Sequence, residues 1–217
     1  MKIWTIAAAG LAAAALALGT AQAQAQERLE VGQPAPAFTG TDSKGLTHNL
    51  ADFKGKTVVL EWVNHDCPFV VKHYGAGNMQ ALQQQAKDAG VVWISIVSSA
   101  EGKQGHVTAE QANALYFEGK FTKAPVTPSN AAAVILDPTG QIGQAYKAKT
   151  TPHMFVINGE GTLVYEGGID SIKSSNPDDI AKADPFFKTA MEQVVAGQPV
   201  ANPQTTPYGC SVKYAGS

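Results

Sequence analysis

The chain has 217 residues, 44% of them apolar and 16% charged, with a formal net charge of -2 and two cysteines. That length and charge fraction suit one domain of ordinary size and exclude a disordered tail or linker protein. The 16 basic residues are scattered and outnumbered by 18 acidic ones, which excludes a cationic face for phosphate backbones, so no nucleic acid partner is expected.

The amino terminus reads as a basic tip, Lys2, an Ala- and Leu-rich run from Ile6 to Leu18, and small residues two apart at Ala21 and Ala23. This is the pattern of an export signal with a peptidase site. The run falls short of the roughly 20 residues that cross a bilayer, so residues 1–23 are expected to be removed rather than to anchor the chain. The product is expected to be exported, periplasmic or secreted, with no stable membrane insertion, in a compartment where disulfides persist. We divide the remainder into a domain over 31–197 and a tail over 198–217 that carries Cys210.

Pro34 to Phe38 and the turn composition Asp42-Ser43-Lys44-Gly45 read as an opening segment with a small hairpin. Thr57 to Val63 is β-branched and nearly all apolar, as in a strand buried on both faces. From Pro68 the apolar residues recur near helical spacing through Ala86, with Gly75 and Gly77 as breaks. Val91 to Val97 is a second buried strand. Thr108-Ala109-Glu110-Gln111 has the capping spacing that starts a helix, expected to run to Glu118. A third strand, Ala132 to Leu136, stops at Asp137-Pro138-Thr139-Gly140 and is followed by a short helix to Tyr146. His153 to Ile157 and Leu163 to Glu166 flank Asn158-Gly159-Glu160-Gly161 as an antiparallel hairpin, and a last helix spans Pro185 to Ala196. Trp62 and Trp93 read as core aromatics of their strands, and Asp178-Asp179 as a solvated helix start. The order predicts an α/β domain whose central mixed sheet has parallel amino-terminal strands and an antiparallel carboxy-terminal hairpin, with helices in layers on both sides.

Cys67 sits where the first buried strand hands over to a helix, with Pro68 at the first helical position, a place proline favours. The unpaired N–H groups and positive end of that helix would face the sulfur and favour the nucleophilic thiolate. The ordinary alternative is a small apolar core cysteine. Thr150-Thr151-Pro152 directly precedes a strand, where proline is also tolerated as a mere boundary. Cys210 follows Tyr208-Gly209 in the tail. A dozen extended residues reach about 40 Å, so Cys210 can return to Cys67 from anywhere on the domain. The pair reads either as a permanent staple or as a nucleophile with its resolving cysteine, and the two predict different reduction potentials.

Glu61 through Val70 (EWVNHDCPFV), with Thr151-Pro152-His153-Met154 later, resembles the thioredoxin superfamily, specifically its redoxin, peroxiredoxin-like branch of alkyl hydroperoxide reductase and thiol-specific antioxidant relatives. The similarity runs from about Gln33 to Ala196. It implies a three-layer thioredoxin-like fold, a cis Thr151-Pro152 bond beside Cys67, and a thiol-dependent oxidoreductase. The departures carry information. Cys67-Pro68-Phe69-Val70 has valine where thioredoxins have a second cysteine. The peroxiredoxin pattern Pro-x-x-x-Thr-x-x-Cys becomes Leu60, Asn64 and Cys67. Arg28, the only arginine, precedes the domain, and lysine is a poor geometric substitute for a guanidinium. Asn64 is expected to supply a hydrogen bond and Lys72 a charge in place of the threonine and arginine that align a peroxide, which points to a slower or differently specialised thiol enzyme.

The first functional reading is that Cys67 attacks a peroxide or a disulfide, Cys210 resolves the product, and an external dithiol reductant resets the pair, with no metal or organic cofactor. A second reading gathers His65, Cys67, His73 and His153 around copper or zinc. A third is a binding domain that retains the fold, stapled by its two cysteines and without chemistry.

Overall fold

A computed structural model of the protein describes residues 1, 28–121 and 125–216. The expected export signal, Met1 apart, lies outside the described residues. A hairpin of β1 (Thr39–Thr41) and β2 (Thr47–Asn49) comes first. Its turn is held by Asp42, whose Oδ1 accepts from the N–H groups of Lys44 and Leu46 at 2.8 and 2.9 Å.

The central sheet begins with β3 (Val58–Trp62), followed by helices α1 (Pro68–Gly75) and α2 (Asn78–Asp88). The expected interruption falls between them, where Gly77 takes a left-handed φ of 71°. Strand β4 (Val92–Val97) follows, then α3 (Ala109–Ala112), which opens on a Thr108 capping box and widens into a π turn at Asn113–Phe117. Next come β5 (Ala133–Leu136), α4 (Gln141–Ala145), the two-residue β6 (Thr150–Thr151), β7 (His153–Ile157) and β8 (Leu163–Gly167). An exposed 3-10 turn at Pro177–Lys182 carries Asp178 and Asp179, α5 spans Phe186–Val195, and β9 is Cys210–Ser211.

The sheet order is β5-β4-β3-β7-β8, with β3, β4 and β5 parallel and β7 and β8 antiparallel to their neighbours. Alternation along β3 and β7 divides the core into two layers. Val59, Met154 and Val156 meet Val70, Leu82 and Phe187 from α1, α2 and α5 on one face. Val58, Leu60, Trp62, Phe155 and Ile157 meet Ile142 and Tyr146 on the other. This is the thioredoxin-like α/β fold with its mixed sheet. Trp62 and Trp93 are both core residues, each donating its indole N–H, to Ser98 Oγ at 3.0 Å and to Glu61 Oε2 at 2.9 Å.

The segment after α5 runs back across the domain. Glu166 N–H bonds to Pro203 O at 3.0 Å, and β9 pairs antiparallel with β6 so that Thr151 stands opposite Cys210. Among the described residues no helix is long and apolar enough to cross a membrane.

Candidate active site

Strand β3 ends in a tight turn over Asn64 to Cys67, closed by a bond from the Cys67 N–H to Asn64 O at 3.0 Å. Cys67 is the N-cap of α1, with extended φ and ψ of -74° and 122°, and Pro68 occupies the first helical position. Its side chain is wholly buried. The helix mouth behind the sulfur presents backbone N–H groups with no partner in the helix, which favours negative charge there.

The peptide between Thr151 and Pro152 is cis. The Cys67 thiol donates to Thr151 O at 3.0 Å, and the Cys210 N–H points back at Cys67 Sγ at 3.4 Å. Cys210 is half-buried and packs against the core cluster that contains Cys67, and both cysteines are thiols in this structure. Gly209 permits the approach: its φ is 141°, and a Cβ there would stand 2.0 Å from Thr151 O.

The other candidate residues, Asn64 and Lys72, have partners of their own. Asn64 Nδ2 donates to Gln104 O at 3.3 Å while its Oδ1 accepts from Asp66 N–H at 2.9 Å, so the amide braces the loop beside Cys67. Lys72 is wholly buried with Nζ 3.5 Å from Asp170 Oδ2, in a cluster completed by His73 and Tyr208. Asn78 Nδ2 donates to His73 Nδ1 at 2.9 Å, which places the ring proton on Nε2, 3.4 Å from the Tyr208 hydroxyl. That hydroxyl donates to Asp170 Oδ1. Burial pushes His73 down to about 4, with Lys72 acting in the same direction and Asp170 against it.

The four metal candidates are not brought together: among the described residues no group of three or more His, Cys, Asp or Glu could hold a metal ion. Strand alternation is one reason. His153 lies on the Phe155 face of β7, with its ring centroid 4.4 Å from that of Phe155, whereas Cys67 belongs to the opposite layer. His153 Nε2 is 3.3 Å from Glu166 Oε1, and Glu166 also receives Gln204 Nε2 at 2.9 Å and Arg28 Nε at 3.0 Å. Burial lifts the Glu166 carboxyl, but the bonds from His153, Gln204 and Arg28 outweigh it and hold it below the usual carboxylate range. His65 has Asp66 at 3.6 Å, and burial lowers its pKa. His73 is committed to Tyr208 and Asp170.

Sequence reasoning passed over Glu61, Asp170, Glu166 and Tyr208 as participants. Glu61 carried a signal, an acid inside an apolar strand. It is fully buried and accepts from Trp93 Nε1 and Ser95 Oγ, both at 2.9 Å, and from the Tyr74 hydroxyl at 3.1 Å. Desolvation raises it to about 7 against the pull of those donors.

A buried sheet that hands a cysteine to a helix mouth, beside the Thr151-Pro152 turn, is the arrangement of the thioredoxin fold. The chain belongs to the Redoxin family, whose profile matches residues 30–183. No curated protein matches the sequence significantly. Among solved structures, a hypothetical protein from Sinorhizobium meliloti 1021 is 21% identical, with TM-score 0.69 over 88% of this chain and 98% of that one. An uncharacterized conserved protein from Geobacillus kaustophilus is 22% identical, with TM-score 0.68 over 87% and 94%. A proposed protein disulfide isomerase from Bacteroides thetaiotaomicron is 20% identical, with TM-score 0.52 over 77% and 91%. These likenesses concern the fold.

Proposed function

We propose that this chain is an exported thiol oxidoreductase in which Cys67 takes the oxidant and Cys210 resolves the product. The observation that carries the reading is the seat of Cys67: an α1 N-cap, with the Cys210 backbone 3.4 Å from its sulfur. The Cys67 thiolate attacks a peroxide, giving a sulfenic acid and releasing water after proton uptake, or attacks a disulfide, giving a mixed disulfide and a free thiolate. The Cys210 thiolate then attacks Cys67 Sγ and expels hydroxide or the second thiolate. The product is a Cys67–Cys210 disulfide, which an external dithiol reduces with two electrons. The Cys210 N–H is placed to donate to sulfur as its charge changes. Export is supported by the Lys2 to Ala23 pattern and by two cysteines suited to an oxidising compartment.

The test is intact mass after one equivalent of hydrogen peroxide or of a small disulfide. Wild type is expected to lose two hydrogen atoms, Cys210→Ser to stop at the sulfenic acid or mixed disulfide, and Cys67→Ser to remain unreacted. If Cys67→Ser consumes oxidant as wild type does, the assignment is lost.

A further inference from the structure

The segment from Thr205 to Tyr214 is a strap built into the domain. Two glycines make room for it: a Cβ on Gly167 would stand 2.1 Å from Thr205 Oγ1, and one on Gly143 would stand 2.5 Å from the Tyr214 hydroxyl. Backbone bonds fasten it along its length, from Thr205 N–H to Glu166 O at 3.1 Å, from Val212 N–H to Lys149 O at 3.0 Å, and from Ala100 N–H to Lys213 O at 2.8 Å. The Tyr214 hydroxyl donates to Ala148 O at 2.8 Å. Between these points Tyr208 acts as the bolt. Its ring meets Phe69 of α1 edge-on, centroids 5.7 Å apart, and its hydroxyl is buried against Asp170 and His73.

The strap therefore forms one wall of the Cys67 site. Cys67 has no exposed surface, the Thr151 carbonyl holds its thiol, and β9 occupies the outer edge of β6. A disulfide on a polypeptide must bring flanking chain to the sulfur, into space filled by residues 209–211. Its approach requires the strap's bonds to open together, a sub-global event, whereas a small oxidant needs only a brief local gap.

We propose that the strap is the specificity element of this site, reserving Cys67 for small oxidants such as hydrogen peroxide and short-chain disulfides and excluding disulfides carried on polypeptides. The inference rests on the thiol chemistry assigned to Cys67 above and narrows its substrate class. With a small disulfide RSSR, the Cys67 thiolate forms Cys67–S–S–R and releases RS⁻. Cys210 then releases the second RS⁻, so two thiols of the protein are oxidised and one disulfide is reduced to two thiols.

The experiment uses the full reduced chain and three reagents: hydrogen peroxide, bis(2-hydroxyethyl) disulfide and an unstructured peptide dimer joined by one disulfide. Loss of the Cys67 thiol is followed by quenched mass, with each rate divided by that of the same reagent with dithiothreitol. The normalised rate is expected to fall about a hundredfold from the small disulfide to the peptide dimer, and Tyr208→Ala is expected to close that gap by about tenfold or more. Gly143→Ala, which pushes Tyr214 from its seat, serves where Tyr208→Ala does not fold. A wild-type Cys67 blind to reagent size overturns the strap's role, as does a gap that both variants leave intact. A Cys67 silent to every reagent, indistinguishable from Cys67→Ser, overturns the underlying thiol chemistry and the strap's role with it.

Discussion

The Cys210 N–H lies 3.4 Å from Cys67 Sγ although 143 positions of chain separate the two residues. A bond between their sulfurs would close the chain from α1 to β9 into one loop. In the chain-entropy account, such a crosslink stabilises the folded state by about 5 kcal/mol. We expect urea unfolding of oxidised wild type to exceed that of the reduced protein by about that amount, and Cys210→Ser to abolish the difference. Equal midpoints with and without reductant in wild type would show that the two sulfurs do not pair.

Gly209 is the point where the strap crosses the Thr151 carbonyl. Alanine there is doubly penalised, by a φ of 141° and by a Cβ only 2.0 Å from Thr151 O. Gly209→Ala is expected to lift β9 from β6. Cys67–Cys210 disulfide formation should slow by about tenfold or more, while alkylation of Cys67 by iodoacetamide accelerates. Timed quenching and peptide mapping read both rates, and a variant that moved neither would show that Gly209 does not govern the approach.

Asp170 faces Lys72, His73 and Tyr208 from one carboxyl group. Asp170→Ala would leave the Lys72 ammonium buried without its counter-charge, and breaking such a pair typically costs about 3–5 kcal/mol. We expect a loss of that order in urea unfolding, and recovery of most of it in the double variant Lys72→Met, Asp170→Ala, which removes both charges. A double variant as unstable as the single one would place the energy in the Tyr208 contact instead.

Glu61 gives the fold a pH dependence of defined sign. Its folded-state value of about 7 lies above the ordinary carboxylate value of 4.5, so the unfolded chain releases this proton first. The protonated Glu61 stabilises the fold fully below pH 4.5, and the contribution is lost as pH rises towards 7, by roughly 3 kcal/mol at one pKa unit per 1.36 kcal/mol. Glu61→Gln should flatten this slope. The wild-type advantage over the variant, measured by urea unfolding, should shrink steadily from pH 4.5 to 7. An advantage that grows with pH would mean that the carboxylate, with its Trp93, Ser95 and Tyr74 donors, is the favoured form in the fold.

The elements were legible because each follows from local pattern. Val58–Trp62 and Val92–Val97 are β-branched apolar runs, Pro68 starts a helix, and Asn158 to Gly161 turns a hairpin. The shortfalls have local causes too. The helix after Thr108 is one turn of α-helix that widens into a π turn at Asn113–Phe117, and apolar spacing does not distinguish the two. His153 and Cys67 are each plausible ligands in one dimension, but β7 turns His153 to the far layer, and that follows only from the strand's register in the sheet.

The sequence by itself determined the layered fold, the position of Cys67 at a helix mouth and the proline that follows Thr151, because burial periodicity and backbone restriction act over a few residues. Only the tertiary structure decided that Tyr208 would seat against Asp170 and that Cys210 would come to rest across from Thr151. It also decided that Lys72 would face Asp170 and that the Asn64 amide would bond Gln104 and Asp66. These outcomes depend on which distant groups satisfy one another's charge and hydrogen bonds once buried, and no local pattern carries that information.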